Sequence, residues 1–210
     1  MKSKDVIIVA LDGISEKEAL RVARLLKGSV WGFKVNDLLF ENKDIITKLK
    51  KFGRVFADAK LYDIPNTVAN SVTRLSRAGA DMITVHASGG IEMMKAAKRS
   101  AGRSKILGVT VLTSSEPNSK MVTKLTKDIL EAKLDGIVSS GRDLSSIQKI
   151  QGSRILLKVV PGIRKAGYKK RDDQKRTVTP EKAFKEGADY LVIGRPILDS
   201  KDPLKALADL

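Results

Sequence analysis

Apolar segments of strand length alternate with segments of helical periodicity from one end of the chain to the other, eight of each in 210 residues. That rhythm admits few folds. The strand segments are residues 5–12, 31–36, 54–62, 81–87, 105–113, 136–140, 155–160 and 190–194. The helical segments are 15–26, one ending near 53, 66–78, 91–100, 119–134, 144–150, 180–186 and 203–209. Continuous apolar strands separated by one-sided helices indicate a parallel sheet covered on both faces. Eight units with no obvious edge strand favour closure, so the expected fold class is α/β, a (β/α)8 TIM barrel forming one domain over residues 1–210. An open doubly wound sheet is the alternative, disfavoured because no Gly-x-Gly-x-x-Gly follows the first strand. Ser15, with Glu18 three residues on, has the form of a capping box for the first long helix. Asn66 is the expected cap of the helix after strand three.

A barrel gathers its chemistry at the C-terminal ends of its strands. The densest signal there is Phe56-Ala-Asp58-Ala-Lys60-Leu-Tyr-Asp63-Ile64-Pro65-Asn66-Thr67. Alternate strand residues share a face, so Asp58 and Lys60 point the same way. Pro65 disfavours helical geometry at Ile64 and ends the strand, leaving Asp63 in the turn. The bland reading is a surface salt bridge at a strand end. Against it, a buried acid beside a buried base is costly unless it serves something.

Other polar residues collect at the same end. Asp12 closes strand one, and Lys34 lies inside the apolar strand Trp31-Gly-Phe33-Lys34-Val35. His86 ends strand four, Thr113, Ser114 and Ser115 follow strand five, and Ser139 and Ser140 end strand six. Pro161-Gly162 closes strand seven and Gly194-Arg195 strand eight, where phosphate sites of barrels commonly form. The single histidine is better suited to a packed, hydrogen-bonded role than to metal ligation. The long polar segment 162–179 is a candidate lid.

No nucleophilic triad, zinc motif, Walker loop or cofactor fingerprint is present. With no cysteine in the chain, a thiol nucleophile and iron–sulfur ligation are excluded. What remains is lysine–aspartate electrostatics and proton transfer, suited to a carbanion intermediate protonated by lysine. A Schiff base at Lys34 or Lys60 competes, weakened by aspartates that favour the charged ammonium. The formal charge of +16 would suit a nucleic-acid binder, but the cations are spread over most helices and aromatics are only 4%. The expectation is therefore no nucleic-acid partner, with the basic surface available to steer a phosphorylated substrate. There is no apolar run of membrane-spanning length, and the N-terminal residues enter a strand without a signal-peptide core. A cytoplasmic location with no membrane association is expected.

Leu11-Asp12, Phe33-Lys34, Asp58-x-Lys60-x-x-Asp63-Ile-Pro-Asn-Thr67, Val85-His86-Ala, Leu112-Thr113-Ser, Pro161-Gly162-Ile-Arg164, Asp173-Gln174 and Gly194-Arg195-Pro-Ile together resemble the orotidine 5′-phosphate decarboxylase family over essentially the whole chain. The resemblance implies a (β/α)8 homodimer without metal or organic cofactor that converts orotidine 5′-monophosphate to uridine 5′-monophosphate. It implies catalytic roles for Lys60, Asp58, Asp63 and Lys34. Lys60 would protonate the C6 carbanion, Asp58 would face the substrate carboxylate, and Lys34 would hold the ribose and Asp58. It implies substrate contacts for Asp12, Lys34, Ile64, Asn66, Thr67, Ser115 (or Ser114), Pro161, Gly162, Gly194 and Arg195. Asp63 and Thr67 would reach into the partner's site. Two departures stand out. Ala166 occupies the place of a loop glutamine that bridges phosphate and pyrimidine in the family, so Arg164, Tyr168 or Lys169 would have to substitute. The segment 113–117 looks a residue short. Sister enzymes that work through a magnesium-bound enediolate share Asp-x-Lys-x-x-Asp but typically carry an acid near the place of Lys34 and lack Ile-Pro-Asn-Thr.

Overall fold

The computed structural model describes residues 3–42, 44–112, 118–165, 167 and 176–210, without the side chains of residues 3 and 4. In chain order the elements are α1 (Ser3–Val6), β1 (Ile7–Ala10), α2 (Glu16–Leu25), β2 (Gly32–Val35), α3 (Leu38–Glu41) and α4 (Ile45–Leu49). They continue with β3 (Arg54–Leu61), α5 (Pro65–Arg77), β4 (Met82–His86), α6 (Ile91–Arg99), β5 (Lys105–Val109) and α7 (Ser119–Glu131). The last are β6 (Gly136–Val138), α8 (Leu144–Gln148), β7 (Leu157–Val160), α9 (Pro180–Lys185), β8 (Tyr190–Ile193), α10 (Arg195–Leu198) and α11 (Pro203–Ala208). The eight strands pair in sequence order, all parallel, and β1 closes on β8, so the sheet is a barrel. Among the described residues no helix is long and apolar enough to cross a membrane.

Strand alternation divides the core into two shells. Ile8, Ala10, Phe56, Met82, Leu107, Val159 and Val192 fill the barrel interior. Their chain neighbours Ile7, Val9, Val55, Ala57, Ile83, Ile106, Val160, Leu191 and Ile193 join the layer beneath the helices. Because parity is fixed by the strand backbone, Phe33 and Val35 in the outer layer commit Lys34 to the interior. The same rule commits Asp58 and Thr84, two residues beyond Phe56 and Met82. The apolar plug thus lies toward the strand starts, with the polar residues above it.

At the opposite mouth an aspartate precedes each of β4, β6 and β8 and ties down the strand before it. Asp81 accepts from the Val55 amide at 2.7 Å, Asp135 from Ile106 at 2.8 Å and Asp189 from Lys158 at 2.7 Å. In return each aspartate amide donates to the carbonyl of that same residue. These exchanges satisfy strand-end amides that would otherwise be orphaned at the barrel floor.

Several local expectations are corrected. Residues 5 and 6 belong to a helical turn, because β1 finds partners on β2 and β8 only from Ile7 onward. The Ser15 hydroxyl does cap the Glu18 amide, but the Glu18 carboxylate turns forward to Arg21 instead of closing the box. Asn66 does not cap α5. Pro65 takes the first helical position, where its fixed φ fits and its missing N–H costs nothing, which makes Ile64 the cap residue. The single helix expected before residue 53 is two, parted at Asn42, whose side chain accepts from the Asp44 amide. Strand seven starts at Leu157, with residues 153–155 in a 3-10 turn.

Candidate active site

Four of the expected residues converge at the C-terminal mouth between β1 and β3. Lys34 and Asp58 are both buried, at 6% and 7% exposure. The Lys34 ammonium donates to Asp12 and stands 3.2 Å from Asp58 Oδ2. The Lys60 ammonium donates to the same Oδ2 at 2.7 Å. The other carboxylate oxygen, Oδ1, accepts from the Thr84 hydroxyl at 2.9 Å, and the Asp58 carbonyl accepts from the Asn36 amide group at 2.7 Å. Asp58 is therefore a single buried anion gripped by two cations and a hydroxyl, with Asp12 at the exposed end of the row.

The electrostatics follow from burial and neighbours. Burial alone would push the Asp58 carboxyl up. Lys34 and Lys60, with the Lys60 and Thr84 hydrogen bonds, outweigh it and hold the group below the ordinary aspartate value. Burial alone would pull Lys34 down, but Asp58 and Asp12 outweigh it and hold its ammonium above the ordinary lysine value. Half-buried His86 stands edge-on to Tyr62, with ring centres 6.1 Å apart. Burial, then the Lys60 charge, lowers its pKa, which favours the neutral imidazole. Among the described residues no three His, Asp or Glu side chains cluster as a metal site would require.

Lys60 reaches Asp58 by an irregular route. In a regular strand residues i and i+2 are separated by roughly 7 Å. Here the β3–β4 register, regular through Ala57 opposite Ile83, resumes only at Leu61 opposite Val85. Asp58, Ala59 and Lys60 thus stand against Thr84 alone. Lys60 has φ 44°, in the left-handed region, a strain of about 1–3 kcal/mol that neighbouring contacts must hold. A bulge of this kind re-aims side chains beside a site.

The remaining candidates divide into three groups. Asp63, Ile64, Asn66 and Thr67 are exposed and none bonds to the array; the Asp63 carboxylate accepts from the Ile64 amide at 2.7 Å. Pro161 and Gly162 end β7, with Gly162 at φ 74°, a conformation that favours glycine. Gly194 and Arg195 open α10, half-buried at the end of β8. Thr113, Ser114, Ser115, Ala166, Tyr168, Lys169, Asp173 and Gln174 lie outside the described residues, as does half of the expected lid. Arg164, offered as a substitute for the loop glutamine, is buried and donates from Nη1 to the Ile163 carbonyl at 2.8 Å. The two stems of that segment are joined where Ile163 bridges Val178. Arg176 pins them to the turn after β6 through a buried ion pair with Asp143.

Thr84 and Asn36 were missed in the sequence reading. Thr84 had a signal: in Met82-Ile-Thr84-Val-His86 it shares the interior face with His86, a polar residue inside an apolar strand. Asn36 had none, since its contact is to the Asp58 backbone.

Residues 5–210 match the family described as "Orotidine 5'-phosphate decarboxylase / HUMPS family". A relative from Pelobacter propionicus, named orotidine 5′-phosphate decarboxylase, is 39% identical, covering 98% of this chain and 93% of its own. One of the same name from Carboxydothermus hydrogenoformans is 42% identical over 91% of this chain and 88% of its own. The crystal structure of orotidine 5′-phosphate decarboxylase from Lactobacillus acidophilus superposes with a TM-score of 0.80 at 32% identity, covering 97% of this chain and 96% of that one.

Proposed function

The chain belongs to the orotidine 5′-phosphate decarboxylase / HUMPS family, and we propose that the Lys34–Asp58–Lys60 array is the reaction centre with which it works. The protein decarboxylates orotidine 5′-monophosphate to uridine 5′-monophosphate in pyrimidine biosynthesis. The observation that carries the mechanism is the single buried carboxylate held between two ammonium groups.

In this reading the Asp58 carboxylate faces the carboxylate of the substrate. Two like charges about 4 Å apart repel by roughly 4 kcal/mol at an effective dielectric near 20. The repulsion ends as the C6–carboxylate bond breaks and carbon dioxide departs. The electron pair left on C6 takes a proton from the Lys60 ammonium, so one proton replaces one carbon dioxide and Lys60 is reprotonated from water. Lys34 keeps Asp58 ionised and holds the ribose, and Asp12 accepts from a ribose hydroxyl. Gly194 and Arg195 bind the phosphate. Ile64, Asn66, Pro161, Gly162 and Ser115 complete the substrate contacts.

The reaction is proposed to need no cofactor. A divalent cation brought to Asp58 would meet two ammonium groups already in place, an arrangement opposed to metal binding. The working form is proposed to be a homodimer. Asp63 and Thr67 are exposed and bond to no member of their own array, and Tyr62 and Ile64, beside Asp63 in the chain, are 64% and 66% exposed. An apolar surface of that kind suits burial by a second copy, which would carry Asp63 and Thr67 into the partner's site. Cytoplasmic location and one (β/α)8 domain over residues 1–210 belong to the same proposal.

The test is the loss of orotidine 5′-monophosphate absorbance with purified protein, with and without excess chelator. Chelator-insensitive conversion to uridine 5′-monophosphate is the expected result. Conversion that requires magnesium would overturn the cofactor-free mechanism. For the shared site, mixing inactive Asp63→Ala and Lys60→Ala dimers should restore activity through hybrids. No recovery after verified subunit exchange counts against it.

A further inference from the structure

We propose that Thr84 is a positioning residue for the reaction, holding the Asp58–Lys60 excursion of β3 in its working shape. The inference rests on the catalytic reading of Lys60 given above. Thr84 is fully buried in β4 and is the only β4 residue between the last regular pair, Ala57 with Ile83, and the resumed pair, Leu61 with Val85. Its one hydroxyl serves both ends of the excursion. It donates to Asp58 Oδ1 at 2.9 Å and accepts from the Lys60 amide at 2.9 Å.

Each bond answers a specific need. The Lys60 amide has left the backbone ladder in a part-buried position, where an unpaired N–H is costly. The Thr84 oxygen takes the place of the missing carbonyl. Lys60 also sits at φ 44°, which a lysine holds only where its surroundings fix it. On the carboxylate side, the hydroxyl proton occupies Oδ1 and fixes the carboxylate plane, so that Oδ2 alone faces Lys34 and Lys60. A side chain that could only donate or only accept would satisfy one end and leave the other unpaired. A hydroxyl does both.

The experiment compares Thr84→Val, which keeps the branched shape without the hydroxyl, with Thr84→Ser, which keeps the hydroxyl. Thr84→Ala is the further variant should valine prevent folding. For Thr84→Val the expected result is a fall in kcat of about a hundredfold, the scale of a small misplacement of reacting groups. KM and uridine 5′-monophosphate affinity should change less than about threefold, since substrate-binding groups are untouched, and Thr84→Ser should recover most of kcat. A folded Thr84→Val enzyme with kcat within about twofold of wild type overturns the proposal. So does a loss that serine shares in proportion to its melting temperature, which would mark a packing role alone. If wild type itself fails to decarboxylate, the parent reading falls, and Thr84 is judged by crystal structures of wild type and Thr84→Val. Lys60 departing from its left-handed φ, or its ammonium leaving Asp58, in the variant supports the positioning role. Both unchanged overturns it.

Discussion

Replacing Lys34 with methionine tests the buried array most directly. The substitution removes the cation 3.2 Å from Asp58 Oδ2 and leaves a side chain of similar length in the barrel. Two unit charges at that separation attract by roughly 5 kcal/mol at an effective dielectric near 20. The net loss is smaller, because the variant no longer buries an ammonium. Asp12 is exposed and returns to water, while Asp58 keeps Lys60 and Thr84. Breaking a buried pair typically costs about 3–5 kcal/mol, and the surviving partners of Asp58 place this case near 3. The sign with pH follows from the two shifts. Asp58 is depressed in the folded state, so its contribution is present above the unfolded value near 3.9 and fades as pH falls through the folded one. Lys34 is raised, so its contribution is complete below its unfolded value near 10.4 and fades as pH rises through the folded one. The deficit of Lys34→Met should therefore be flat from about pH 5 to 9 and shrink in acid. Urea unfolding across that range measures it. In parallel, the acid limb of the kcat/KM profile should move to higher pH, because Asp58 has lost its foremost neutralising charge. A variant as stable as wild type at neutral pH, with its acid limb unmoved, would refute the coupling of Lys34 to Asp58.

Three further perturbations test separate parts of the structure. Lys60→Ala should lower kcat by about 10²–10⁴-fold or more while product binding stays measurable by calorimetry. In the same variant NMR should find the His86 pKa raised, since the Lys60 charge is one cause of its depression. Asp135→Ala should destabilise by about 2–3 kcal/mol without changing KM, because it strips the Ile106 amide and Lys98 of a charged acceptor at the barrel floor; denaturant melts and kinetics check both halves. Arg176→Met should cost about 3 kcal/mol or more in denaturant unfolding by leaving Asp143 buried without its cation, and a neutral outcome would show that Asp143 finds another partner.

Much of the site was legible because strand parity is a local property of covalent geometry. Once Phe33 and Val35 pack outward, Lys34 must point inward, and no distant contact changes that. Pro65 likewise fixed the end of strand three, although its preference for the first helical position displaced the cap from Asn66 to Ile64. Asp58 and Lys60 were correctly placed on one face, but for an incomplete reason: the side chains meet through a left-handed Lys60 and a register shift, not a regular strand.

The sequence by itself determined the number and order of the strands, their parity and the charged residues that parity turns inward, since each depends on neighbours a few positions away. Only the tertiary structure decided which strands' side chains meet. Closure and register set Thr84 against both Asp58 and Lys60, Asn36 against the Asp58 carbonyl, and Asp135 under the Ile106 amide across 29 residues of chain. The exposure of Asp63 in the turn and of Thr67 in the first turn of α5 was also decided there, because it depends on how the whole segment packs against the barrel. Hydrogen bonds between strands are made through space, and residues far apart in the chain carry no local trace of which partner the closed barrel will bring.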